Sequence, residues 1–171
     1  MTEELSPTGE FGDLLAANRR YAETFKSGGF DGIARAGVLV LTCMDSRIDP
    51  LRMLGLDAGD AKILRNAGAR LTDAALEGVV LGVNLLEVTR VLLVPHTRCA
   101  VASNSETEIR RRISAASGQA VDDYQFHVVT DQLAAVRTDV GTLRDHPLVP
   151  ATTTIGGFLY DVDTGLLARV V

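Results

Sequence analysis

The sequence predicts an α/β domain: a mainly parallel central β-sheet flanked by helices, with a C-terminal hairpin strand and an N-terminal helical arm. Three observations predict it. Short apolar runs without polar alternation recur at residues 38–42, 61–64 and 91–94, the pattern of strands covered on both faces. Cappable segments of helical length lie between and after them. The end of the chain, IGGFLYDVDTGLLARVV, reads as two short strands turning at Asp163-Thr164-Gly165.

Each element follows in order. Residues 11–26 read as an amphipathic helix with Leu14, Tyr21 and Phe25 on one stripe, stopped by Ser27-Gly28-Gly29. The run 38–42 is the first strand. The second, 61–64, leads into the loop RNAGAR. Thr72 or Asp73 can cap a helix to about residue 86, although Gly78 and Gly82 weaken it. The run 91–94 is the third strand. Ser105 can cap a helix to about residue 117. Residues 126–130, FHVVT, read as a fourth strand, and Asp131 can cap the helix after it. The terminal hairpin then extends the sheet edge, with one added strand able to run antiparallel.

Composition bounds the function. The chain has 171 residues, 46% of them hydrophobic and 23% charged, which predicts one domain over residues 1–171 with residues 1–30 as the arm. The net charge of −5 argues against a nucleic-acid surface. The one basic cluster, Arg110-Arg111-Arg112, follows Glu106 and Glu108 closely enough to read as a solvated helix face with intrahelical ion pairs. No apolar run approaches the ~20 residues that span a bilayer, and MTEELSPTGEFGD lacks the basic and apolar regions of a signal peptide. The expectation is a cytoplasmic protein without membrane or nucleic-acid partners. Two cysteines there do not make a disulfide framework, so a metal or catalytic role competes with simple burial.

The chemistry gathers in two places. In LTCMDSRIDP, Cys43 follows the first strand directly, with Asp45 and Arg47 just beyond. In VLLVPHTRC, His96 and Cys99 follow the third. Ligands in open parallel sheets bind outside the carboxyl ends of strands, where strand order reverses. If the first and third strands are neighbours, Cys43, His96 and Cys99 face one crevice. Two thiolates and an imidazole form a tetrahedral, zinc-preferring set with one position open, as in catalytic zinc sites. If the backbone stays extended past Cys43, Asp45 and Arg47 stand on the same face. The aspartate can then bind the metal or accept a proton, and the arginine can hold it in a fork. Read singly, a buried cysteine is a small hydrophobe. His127 reads as structural, His146 as a loop residue, and Asn66 and Gly68 as turn-formers.

CMDSR, the downstream RNAGA and an HxxC after a third strand resemble the β-class carbonic anhydrases. The similarity covers most of the chain, from ANRRYAETF to GFLYDVDTGLL. It implies a zinc (Zn2+) enzyme, a homodimer or dimer of dimers, and reversible hydration of carbon dioxide to bicarbonate and a proton. By motif it makes Cys43, His96 and Cys99 the metal ligands and Asp45 and Arg47 the catalytic pair. Two departures stand out. The family's HxDCG reads His96-Thr97-Arg98-Cys99-Ala100 here, reversing charge at Arg98 and adding a methyl group at Ala100. Some members hold a regulatory bicarbonate with a tryptophan three residues before the first cysteine. Val40 stands there, so an intact pocket is not expected, although Arg65 matches its arginine. The alternatives are a carbonyl sulfide or carbon disulfide hydrolase on the same fold, and a zinc-binding relative without turnover.

Overall fold

A computed structural model describes residues 10–171. Residues 1–9, part of the expected arm, lie outside the described residues. The described residues divide into two compact units, one ending at Asp31 and one running from Gly32 to Val171. In the first, α1 spans Gly12–Glu23, shorter at both ends than the periodicity suggests. Its apolar stripe is exposed: Leu14, Tyr21 and Phe25 all show more than half of their surface. The Tyr21 and Phe25 rings lie 5.6 Å apart.

In the second unit, β1 (Val38–Cys43) is buried along its whole length. It lies between β2 (Ala61–Asn66) and β3 (Arg90–Val94), parallel to both. β4 (Thr154–Tyr160) joins β3 in parallel, and β5 (Leu167–Arg169) closes the edge antiparallel to β4. The order is β2-β1-β3-β4-β5. The side chains of β1 still alternate, although all are apolar or small. As far as Leu41 they do so strictly: Leu39 and Leu41 enter one core cluster and Val38 and Val40 the other, which Cys43 joins at the strand end, out of that alternation.

α2 (Asp73–Leu85) packs on β1 and β2, and α5 (Gln132–Arg144) on β3 and β4. Thr72 Oγ1 accepts from Ala75 N, and Asp131 Oδ1 accepts from Ala134 N. These bonds satisfy helix-start donors that would otherwise lack partners. The glycines of α2 are there for packing. A Cβ at Gly78 would come within 2.9 Å of Leu64 Cδ1, and one at Gly82 within 2.9 Å of Leu39 Cδ1. α3 (Ala100–Ser103) is a single turn, and α4 (Glu106–Ser117) starts at the Ser105 cap.

The predicted strand at residues 126–130 does not form. The slot beside β3 belongs to β4, registered from Arg90↔Thr154 onward. Residues 126–130 make other bonds: Phe126 N donates to the Glu106 carboxylate, and Val129 N to Val101 O. Among the described residues, no helix is long and apolar enough to cross a membrane.

Candidate metal centre

β1 and β3 run side by side with Thr42 opposite Val94, and Thr42 Oγ1 donates to Val94 O at 2.8 Å. Both strands end at one edge, where the chain leaves β1 for β2 on one side while β3 lies on the other. This is a point of reversed strand order. Cys43 is the last residue of β1. His96 lies just past β3, held by an isolated bridge to Tyr160.

The donor atoms of Cys43, His96 and Cys99 all lie within 4.8 Å of one another. The residues are 5%, 0% and 2% exposed, so bulk water is excluded from the cluster. His96 Nδ1 lies 2.8 Å from Thr97 O. A carbonyl can only accept, so Nδ1 carries the proton and Nε2 presents a lone pair. That Nε2 is buried without a hydrogen-bond partner among the described residues. An orphaned imidazole nitrogen facing two sulfurs is the arrangement a tetrahedral thiophilic ion satisfies, and a backbone carbonyl behind the ring is how metal-binding histidines are oriented. The residues therefore fit zinc.

The sulfurs are unlike each other. A hydrogen bond from the Cys99 thiol, opposed by burial and helped by the Gly68 amide, brings Cys43 down to about 4. The same bond, with burial, pushes Cys99 well above the ordinary thiol range.

Asp45 and Arg47 also reach the site, but not on an extended strand. Met44 N still pairs with Asn66 O, and the backbone then turns, with Ile48 N donating to Asp45 O. Asp45 Oδ1 accepts from Arg47 N at 2.9 Å. This side-chain turn, which aspartate makes readily, replaces the expected alternation and leaves Met44 exposed. The Arg47 fork closes on the carboxylate, Nε to Oδ1 at 2.9 Å and Nη2 to Oδ2 at 2.7 Å. These bonds hold Asp45 well below the usual carboxylate range. Asp45 Oδ2 lies 3.8 Å from His96 Nε2.

Arg65 donates to Cys43 O at 2.9 Å and to Asp45 O at 2.7 Å, so both of its bonds fix backbone. Val40 is fully buried in the core. Arg98 leans outward onto Asp163 at 2.9 Å, with both side chains more than half exposed. Its reversed charge is spent on the hairpin turn rather than aimed at the donors. Ala100 is exposed at the start of α3.

Asn66 shapes a turn, with its amide bonded in both directions to the backbone of Arg70. Gly68 does more than turn the chain: its N–H donates to Cys43 Sγ at 3.4 Å. His146 Nδ1 accepts from Leu148 N in a loop. Asp139 escaped the sequence reading, although an acid beside Val136, Val140 and Leu143 on an otherwise apolar helix face is a visible signal.

The sequence family described as carbonic anhydrase matches residues 38–167. β-Carbonic anhydrase 1 of Mycobacterium tuberculosis is 31% identical over 158 residues, covering 92% of this chain and 96% of that protein. Carbon disulfide hydrolase of Acidithiobacillus thiooxidans is 28% identical over 148 residues, covering 75% of this chain and 74% of that one. The crystal structure of a carbonic anhydrase from Streptococcus mutans superposes with a TM-score of 0.84 at 32% identity, over 96% of this chain and 99% of that one.

Proposed function

Because the chain belongs to the β-carbonic anhydrase family, we propose that it is a zinc-dependent enzyme hydrating carbon dioxide reversibly to bicarbonate and a proton. The observation that carries this reading is the buried Cys43–His96–Cys99 cluster with His96 Nε2 unpartnered. These three residues would hold the ion. When bound, zinc supplies a Lewis acid that brings the deprotonation of water down toward neutral pH.

The protein's own groups do the rest. Thr97 O keeps the His96 proton on Nδ1. The Arg47 fork keeps Asp45 ionised and turned toward the cluster, where its carboxylate accepts a hydrogen bond from the attacking water and orients it. The same fork restrains Asp45 from acting as a fourth donor, so releasing Arg47 would favour a shut site. Cys43 and Cys99 are buried in one cluster with Val94, Ile48 and Val40, which gives the donors apolar surroundings.

The protein would work in the cytoplasm as a homodimer or dimer of dimers, for which the exposed stripe of α1 supplies an apolar surface. The carbon disulfide hydrolase relatives support a second reading, in which carbon disulfide or carbonyl sulfide is the substrate.

Stopped-flow hydration with metal analysis tests both. The chain should carry about one zinc and hydrate carbon dioxide. Cys43→Ser, His96→Ala and Cys99→Ser should each lose metal and rate together. Arg47→Ala should keep its zinc and lose about a hundredfold in rate, as removal of a group that orients the reacting water does. Sulfide release from carbon disulfide by a protein inert toward carbon dioxide would favour the second reading. Full metal content in all three ligand variants would overturn the site.

A further inference from the structure

The loop from Asn66 to Leu71, between β2 and α2, is braced more heavily than a connection of its length requires. Its Gly68 N–H reaches Cys43 Sγ, as described. Gly68 has φ +84°, and a Cβ there would meet Val101 Cγ2 at 2.9 Å and Val129 Cγ2 at 3.4 Å. Only glycine brings the backbone this close to the sulfur. Ala69 follows, buried, at φ +57°, a conformation that surrounding structure must enforce.

The enforcement comes from far along the chain. Arg70 Nε donates to Asp139 Oδ2 at 2.7 Å and Nη2 to Oδ1 at 2.9 Å. Leu71 N adds a third bond, to Oδ2 at 3.1 Å. Asp139 is 5% exposed and sits on α5 beside the core residues Val136, Val140 and Leu143. Charge this deep persists only where it is paired and fully bonded. The Asn66 amide, bonded to Arg70 N and Arg70 O, closes the loop from its other end.

We propose that Arg70 and Asp139 are positioning residues which, through the 66–71 loop, hold the Gly68 N–H on Cys43 Sγ and thereby set the direction and donor strength of that sulfur toward its metal. The inference rests on the reading of Cys43 as a metal donor. An N–H bonded to a thiolate draws electron density from it and fixes which lone pair is free. An ion pair between this loop and α5 thus tunes a ligand on β1 that it does not touch.

The test uses the full chain loaded with cobalt(II), whose thiolate charge-transfer band reports sulfur donation. Asp139→Asn and Arg70→Gln should each lower cobalt affinity about tenfold and shift the band. Amide exchange at Gly68 should accelerate while far-ultraviolet circular dichroism stays that of the parent. Arg70→Lys keeps the charge but not the fork and should fall between. If both stronger variants bind cobalt with the parent's affinity and band, the pair only braces the fold and the proposal is wrong, whatever happens to thermal stability. If Asp139→Asn does not fold, Arg70→Lys decides: parental affinity and Gly68 exchange overturn the idea. A parent chain that takes up no cobalt overturns the metal reading as well. A parent that binds, with variants that bind equally, overturns the positioning role alone.

Discussion

The three consecutive arginines of α4 and the three arginines around Cys43 carry the same charge and the same fork of donors, yet they do different work. On α4, Arg110 pairs with Glu106, and Arg111 and Arg112 both pair with Glu108, all within one turn. Arg111 and Arg112 are more than 60% exposed. Around Cys43, Arg65 holds two carbonyls of the strand end and Arg70 reaches Asp139 across 69 positions of sequence, while Arg47 pairs locally with Asp45 and also reaches Arg98 O across 51 positions. The guanidinium is the same in both places; the partner decides. A local, solvated partner leaves the pair in competition with water and salt. A distant or buried partner makes the arginine a constraint on tertiary structure. Arg110 stands between the groups, since it also bonds the carbonyls of Val121 and Asp122 and so ties the following segment to its helix.

The largest break in this comparison should come from Arg65→Ala. It frees the carbonyls of Cys43 and Asp45 together and loosens both the first donor and its neighbouring carboxylate. Metal affinity, read by competition with a chelating dye, should fall about 10- to 100-fold, the usual cost of removing support behind a ligand. Affinity equal to the parent's would place Arg65 with the α4 arginines.

Arg98→Ala should do far less, although Arg98 adjoins Cys99. Its pair with Asp163 is exposed on both sides, so unfolding free energy in urea should change by less than about 1 kcal/mol. Hydration should stay within about twofold, a shift of under half a kcal/mol in the barrier. A large rate change would mean that the side chain turns inward in solution.

The smallest effect sharpens the contrast from the other side. Hydrogen bonds from Arg111 and Arg112 hold Glu108 down to about 2, from an ordinary value of 4.5. A depressed carboxylate contributes stability that is present above its unfolded value and is lost as pH falls through the folded one. The loss should therefore run between about 4.5 and 2. In the Arg111→Ala, Arg112→Ala double variant, carbon-detected titration of Glu108 should move back to near 4.5. Metal content should stay parental. A variant in which Glu108 still titrates near 2 would show that the helix, not the arginines, sets its acidity.

Much of the fold was legible because local signals agreed. Non-alternating runs marked β1, β2 and β3, and Thr72, Ser105 and Asp131 each capped the helix expected of them. Cys43, His96 and Cys99 come together because strand ends are predictable from where apolar runs stop. What failed was non-local or depended on a few torsions. FHVVT has strand composition, but whether a strand forms depends on an open slot in the sheet, and TIGGFLY takes the one beside β3. Gly157 lies there against Val136 and Val171, with room for no Cβ. The route from Cys43 to Asp45 turned on one side-chain bond to Arg47 N that periodicity cannot register. Asp139 stood out as an acid on an apolar helix face, but what it bonds could not be read, because its partner Arg70 lies in another element.

The pairing of Thr42 with Val94 spans 52 positions of sequence, and it has a kinetic consequence. Until β3 docks on β1, Cys43 belongs to one part of the chain and His96 and Cys99 to another. Closing that loop requires a long diffusive search, with β2 and α2 contained inside it. Tyr160, which bridges His96, arrives later still as the chain emerges. During refolding, capture of a metal by all three donors would therefore serve as a clock hand. It would move only when the first, third and fourth strands had found one another, well after α1 or α4 could have coiled alone.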